Sequence, residues 1–176
     1  MFQKGKKSSP LTGGLSIMIV GCGKVGKTLV ERLSKEGHDI SVVDKSAARL
    51  QSVTNMYDVF GVVGNGASFT VLKEAGIEHT DILIAVTDSD ELNLLCCLVA
   101  KRSGNCDVIA RVRTPDYSEE KTYLKEKLGL AMMINPEQEQ QMRSHVFYIC
   151  RQRWMWRLLP EDMWKWFVSN FRKETC

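Results

Sequence analysis

A glycine-rich hexapeptide, Gly21-Cys22-Gly23-Lys24-Val25-Gly26, stands between the apolar run Ile17-Met18-Ile19-Val20 and a segment of helical period from Lys24 to Glu36. A second apolar run, Ile40 to Val43, leads into Asp44, eighteen residues past the last glycine. Strand, glycine turn, helix, strand and acid, in that order, restrict the chain to a βαβ unit of the dinucleotide-binding type. The first glycine permits the tight turn, the second lets main chain approach a pyrophosphate, and the third lets the helix pack closely on the strand. The helix N-terminus then offers unpaired N–H groups and a partial positive charge to phosphates. Asp44 is spaced to accept hydrogen bonds from ribose hydroxyls. Its charge repels a 2′-phosphate and so favours NAD(H) or an adenine nucleotide over NADP, a preference that the neighbouring Lys45 weakens.

The alternation continues along the chain. Strands are expected at 16–20, 39–43, 59–63, 81–86, 107–112 and 131–134, and helices at 24–36, 46–54, 68–75, 89–103 and 116–128. The run Ile82-Leu83-Ile84-Ala85-Val86 is apolar on both faces, as a central parallel strand requires. The predicted fold is α/β: a doubly wound, Rossmann-like parallel sheet with right-handed crossovers. Ligands of such sheets sit beyond the carboxyl ends of the strands, where the strand order reverses. Three further loops belong to that edge: Gly64-Asn65-Gly66-Ala67-Ser68, Thr87-Asp88-Ser89-Asp90 and Arg111-Val112-Arg113. Each has a plainer reading, since Asn-Gly is a common turn, Asp88 or Ser89 can cap a helix, and paired arginines can form a solvated rim.

A chain of 176 residues suits one domain, and no apolar stretch is long enough to span a membrane. The net charge of +3 is unevenly spread: three lysines lie in residues 1–15, and residues 141–176 hold seven Lys/Arg against three acids. Residues 16–140 therefore sum to −4, which speaks against nucleic-acid binding by the core. The six cysteines show no metal-ligand spacing and read as free thiols. Residues 1–15, small and lysine-bearing, read as a flexible leader.

Residues 16–140 closely resemble the N-terminal nucleotide-binding domain of TrkA-type potassium-uptake regulators, also called the KTN or RCK domain. The resemblance is carried by IMIVGCGKVGKTLVERLSKEGHDISVVDK, GNGASFTVLKEAGIEHTDILIAVTDSDELNLLCCLVAK and ARVRTPDY. It implies a regulatory subunit that is not an enzyme. Such a subunit is cytoplasmic and peripheral to a membrane potassium transporter, assembles as homodimers or larger rings, and binds NAD(H) or, alternatively, ATP/ADP. It further implies a phosphate turn at Gly21, Gly23 and Gly26, with amides from Lys24 and Val25, and a ribose acid at Asp44 beside Lys45. Asn65 and Gly66 match the adenosine loop, Thr87 and Asp88 the loop after the fourth strand, and Arg111 and Arg113 a pair that reaches ligand phosphates. The competing function is a small NAD-dependent oxidoreductase. It lacks a substrate domain and a placed acid/base, because His38, His79 and His145 lie away from the motifs and Tyr117 with Lys121 reads as a solvated helix face.

The resemblance stops near Glu139. Residues 141–176 hold all four tryptophans, in Trp154-Met155-Trp156 and Met163-Trp164-Lys165-Trp166-Phe167. One reading is an amphipathic interfacial helix, with Met163, Trp166, Phe167 and Phe171 on one face beside Lys165, Arg172 and Lys173. The other is a reading-frame shift. Trp and Met have single codons, so Trp154-Met155-Trp156 is TGGATGTGG, which one nucleotide earlier encodes an apolar residue, Asp and Val. The frame shift is the preferred reading and makes the chain a truncated, even a non-functional, regulator.

Overall fold

The strands are β1 (Ser16–Val20), β2 (Asp39–Asp44), β3 (Phe60–Val63), β4 (Ile82–Ala85), β5 (Asp107–Arg111) and β6 (Met132–Ile134). They alternate with α1 (Lys24–Lys35), α2 (Ala47–Thr54), α3 (Phe69–Glu74), α4 (Asp90–Ser103) and α5 (Lys121–Leu128), and a 3-10 turn, Ile77–His79, precedes β4. The computed structural model describes residues 14–114, 117 and 120–134. Most of the expected leader and the whole Trp-rich tail, with both its readings, lie outside the described residues, as do His145, Cys150 and Cys176.

All six strands pair in parallel in the order β3-β2-β1-β4-β5-β6. The order reverses beside β1, because the crossover through α3 carries the chain over the first half of the sheet to β4. Register brings the strand exits level: Val20 lies opposite both Val43 and Ala85, and Ala85 opposite Ala110. The loops after four strands therefore meet at one edge, as the alternation predicts.

Side chains alternate across the sheet with the period of two that a strand imposes. Ile17, Ile19, Ile40, Val42, Ile82 and Ile84 pack beneath α1 and α2. Met18, Val20, Val43, Leu83, Ala85 and Val108 face α3, α4 and α5. Every residue of β4 is buried, whereas Phe60 and Val63 of the edge strand β3 are exposed. Helix α1 presents Val25, Leu29, Val30 and Leu33 inward, a single stripe at helical spacing. Cys22, Cys96, Cys97 and Cys106 are free and buried. Burial, aided at Cys22 by the nearby Asp44 charge, pushes the Cys22 thiol up to about 12, and burial does the same for Cys96. These thiols are packing groups, not nucleophiles. Among the described residues no helix is long and apolar enough to cross a membrane.

Candidate functional site

The three glycines of the turn are not equivalent. Gly21 has φ +106°, donates its N–H to Val43 O at 2.8 Å, and leaves 3.0 Å between an added Cβ and Thr87 N. At Gly26 a Cβ would stand 1.8 Å from Gly21 O, so the first turn of α1 touches the strand exit directly. Gly23 has ordinary extended backbone, φ −67° and ψ −171°, and a Cβ there would meet nothing within 4 Å. Packing within the chain thus demands the first and third glycines and leaves the second facing open space.

Helix α1 begins at that opening without a side-chain cap and without an acid in its first turn. Ser46 and Ser89, by contrast, cap α2 and α4 by accepting from Arg49 N at 3.3 Å and Leu92 N at 3.1 Å. The N–H groups of Lys24, Val25 and Gly26 have no acceptor among the described residues, while Lys27 N already bonds Gly23 O at 2.9 Å. Orphan donors at the N-terminus of this 12-residue helix direct N–H groups and a partial positive charge into the opening. Lys24 is exposed beside them.

Asp44, 8 % exposed, closes the other side. Its Oδ2 accepts from Cys22 N at 2.6 Å and its Oδ1 from Ser46 N at 2.7 Å. The carboxylate therefore staples the glycine turn to the exit of β2, a structural duty that its spacing alone did not reveal. Each oxygen keeps a lone pair for a ribose hydroxyl. Lys45 follows, exposed. Asn65 Oδ1 accepts from Ala67 N at 3.1 Å in an Asx turn, and Gly66 presses on β1, where an added Cβ would lie 2.2 Å from Val20 Cγ1. The plain-turn reading of Asn-Gly thus accounts for the conformation of that loop, while the exposed Asn65 remains at the edge.

Two side chains to which the sequence assigned no role of their own, Asn93 and the edge-loop residue Asp90, organise the loops after β4 and β5. Asn93, 0 % exposed, accepts from Thr87 N at 2.8 Å and Thr87 Oγ1 at 2.7 Å, and donates to Arg111 O at 2.8 Å. Asp90, 4 % exposed, accepts from Arg113 N at 2.7 Å, Thr114 N at 2.8 Å and Thr114 Oγ1 at 2.7 Å. The Arg113 guanidinium donates to Asp88 O and lies 3.5 Å from Asp90 Oδ1, so it folds back over its own loop. Arg111 is half-buried at the end of β5 and Asp88 is exposed. The available signal for Asn93 and Asp90 was their spacing: two polar residues heading the stripe of α4 that continues as Cys96, Cys97 and Ala100.

Burial pushes the Asp90 carboxyl up, but the Thr114 hydroxyl, the Thr114 and Arg113 amides and the Arg113 charge outweigh it and hold it below the usual range. A carboxyl depressed by folding contributes stability above its unfolded pKa, about 3.9, and loses it as pH falls through the folded value. Asp90→Asn is therefore expected to lower the urea midpoint at pH 6 more than at pH 3. Equal losses at both pH values would refute the assignment.

His38 and His79 precede β2 and β4, at the amino edge of the sheet, across from the glycine turn. His38 Nδ1 accepts from Leu15 N at 3.1 Å, and Tyr117 OH donates to Glu91 Oε1 at 3.3 Å. Among the described residues no group of three His, Cys, Asp or Glu is placed to hold a metal.

A family model, the TrkA-N domain, matches residues 17–136. The Trk system potassium uptake protein TrkA of Halomonas elongata is 41% identical over 126 residues, covering 70% of this chain and 28% of that protein. The chain thus spans less than a third of that relative's length. The TrkA-N domain of the inner membrane protein ybaL from Escherichia coli superposes with a TM-score of 0.63 at 21% identity, over 79% of this chain and 98% of that one. The GsuK channel bound to NAD gives 0.59 at 22% identity, over 72% of this chain and 22% of that one. GsuK bound to ADP also gives 0.59 at 22% identity, over 73% and 33%. At these identities the likeness concerns the fold.

Proposed function

This chain belongs to the TrkA-N domain family, and on that premise we propose that residues 16–140 are the nucleotide-sensing module of a potassium-uptake regulator. The site takes NAD(H) or, alternatively, ATP/ADP. The observation that carries this reading is the open space at Gly23 beside the three orphan amides of α1. A missing side chain that the protein's own packing does not require leaves room for a phosphate. The NAD and ADP named with GsuK support the ligand class.

In this reading the amides of Lys24 and Val25 hold the phosphates, Asp44 and Lys45 flank the ribose, and Asn65 and Gly66 border the adenosine. Thr87, Asp88, Arg111 and Arg113 line the far side. The chemistry is binding without covalent change; His38 and His79 stand at the other edge of the sheet. The module acts as a homodimer or larger assembly on the cytoplasmic side of a membrane potassium transporter. A nucleotide biases gating only through its different affinity for two assembly states.

Calorimetric titration with NAD, NADH, ATP, ADP and NADPH tests the ligand. Saturable heats are expected from NADH or the adenine nucleotides, with NADPH about tenfold weaker because of the Asp44 charge. An absence of heat with all five ligands would overturn the reading.

A further inference from the structure

Asn93 occupies a place on α4 that its helical stripe would give to an apolar residue, and it is fully buried. Its amide is saturated in one orientation. Oδ1 receives the Thr87 N–H and hydroxyl, and Nδ2 donates to Thr87 O at 3.3 Å and Arg111 O at 2.8 Å. Turned over, Nδ2 would face the Thr87 N–H, donor against donor. One side chain thus joins the loop after β4 to the end of β5, strands that are neighbours in the sheet but meet at this edge through no further ladder.

One turn earlier on the same helix face, Asp90 repeats the arrangement. Its carboxylate holds the amides of Arg113 and Thr114, and the Arg113 guanidinium returns to Asp88 O. Residues 87–88 and 111–114 are thereby closed into a ring, with two buried polar side chains of α4 at its centre. Buried networks of this kind are costly when partly broken, so their members tend to open together.

Resting on the nucleotide reading above, we propose that Asn93 is a positioning residue that locks the Thr87–Asp88 loop to the exit of β5. The two loops then open, and close on a ligand's phosphates, as one unit. Asp90 is the second lock. An event at Thr87 or Asp88 reaches residues 111–114 through the buried side chains of Asn93 and Asp90.

Amide exchange of the full chain, read by NMR with and without NADH, tests this. In the free protein Thr87, Arg113 and Thr114 are expected to open together, with protection factors alike to within about threefold. NADH should slow all three. Asn93→Leu keeps the volume but removes every hydrogen bond of the amide. It should speed Thr87 exchange by about tenfold or more, the size of one buried hydrogen bond lost. It should also confine the NADH effect to the loop after β4. If Asn93→Leu does not fold, Asp90→Asn carries the same readout, with Arg113 and Thr114 now released from Thr87. Unlike protection in the free wild-type protein, or an undivided NADH response in a folded variant, would overturn the proposal. If no nucleotide binds at all, the functional reading fails, while the shared opening of the free protein and its loss in the variants still decide the lock.

Discussion

Gly26→Ala is expected to lower the unfolding free energy by about 3 kcal/mol, the upper end of what overpacking costs. Gly23→Ala shifts it by less than about 1 kcal/mol, the N-cap preference for glycine over alanine opposing the gain from a stiffer unfolded chain. The two substitutions add the same methyl group three residues apart. At Gly26 it would lie 1.8 Å from the carbonyl oxygen of Gly21, a main-chain atom that cannot rotate away, so α1 must move off β1. At Gly23 it meets nothing within 4 Å, and the backbone already has a conformation open to any residue. Nucleotide binding should show the reverse order of specificity. Gly23→Val, in its folded form, is expected to bind on the order of a hundredfold more weakly, because its side chain fills the space that the proposed phosphate would occupy. Denaturant midpoints and calorimetry on the variants give both quantities. A Gly26→Ala protein as stable as the wild type would refute the packing account, and an unweakened Gly23→Val would refute the phosphate site.

Asp44→Ala carries the second large effect, and it falls on folding as well as on binding. The substitution strips the acceptor from two amides at once, Cys22 N and Ser46 N, at a site where the carboxylate is nearly buried. Hydrogen bonds to charged groups contribute about 1.5–3 kcal/mol each, so a loss of about 3 kcal/mol is expected. The ribose contact proposed for Asp44 would go with them, and the glycine turn loses its anchor to β2. Binding by this variant is therefore interpretable only alongside its stability. Urea midpoints, with the Cys22 and Ser46 amide resonances followed by NMR, make the test. A variant that loses nucleotide affinity while both resonances and the midpoint stay in place would assign Asp44 to the ligand alone.

Much of the fold was legible because its determinants are local. The apolar runs at 16–20 and 39–43 emerge as β1 and β2, and the segment from Lys24 shows its stripe as Val25, Leu29, Val30 and Leu33. Strand ends shift by one or two residues, as at Ile82–Ala85 within the expected 81–86, where hydrogen bonding rather than apolarity sets the boundary. The candidate site was legible to the extent that it follows the glycine spacing and the ends of strands. Asp90 belongs to a loop placed at that edge, and it and Asn93 both lie in a segment that carries the resemblance. Their buried roles were not legible, because polar residues in the first turn of a helix ordinarily read as caps or solvated groups.

The sequence by itself determined the parallel α/β class, the place of the glycine turn and the edge where the loops gather, since each follows from a repeat of two or 3.6 residues or from a fixed short spacing. Tertiary structure alone decided which glycine faces open space and which faces a carbonyl. It also gave Asp44 its hold on an amide 22 residues away, and Asp90 its hold on amides 23 and 24 residues away. The physical reason is the reach of these contacts. Each depends on two chain segments that only the level exits of neighbouring parallel strands bring within hydrogen-bond distance, and no local pattern encodes which buried donor will meet which acceptor.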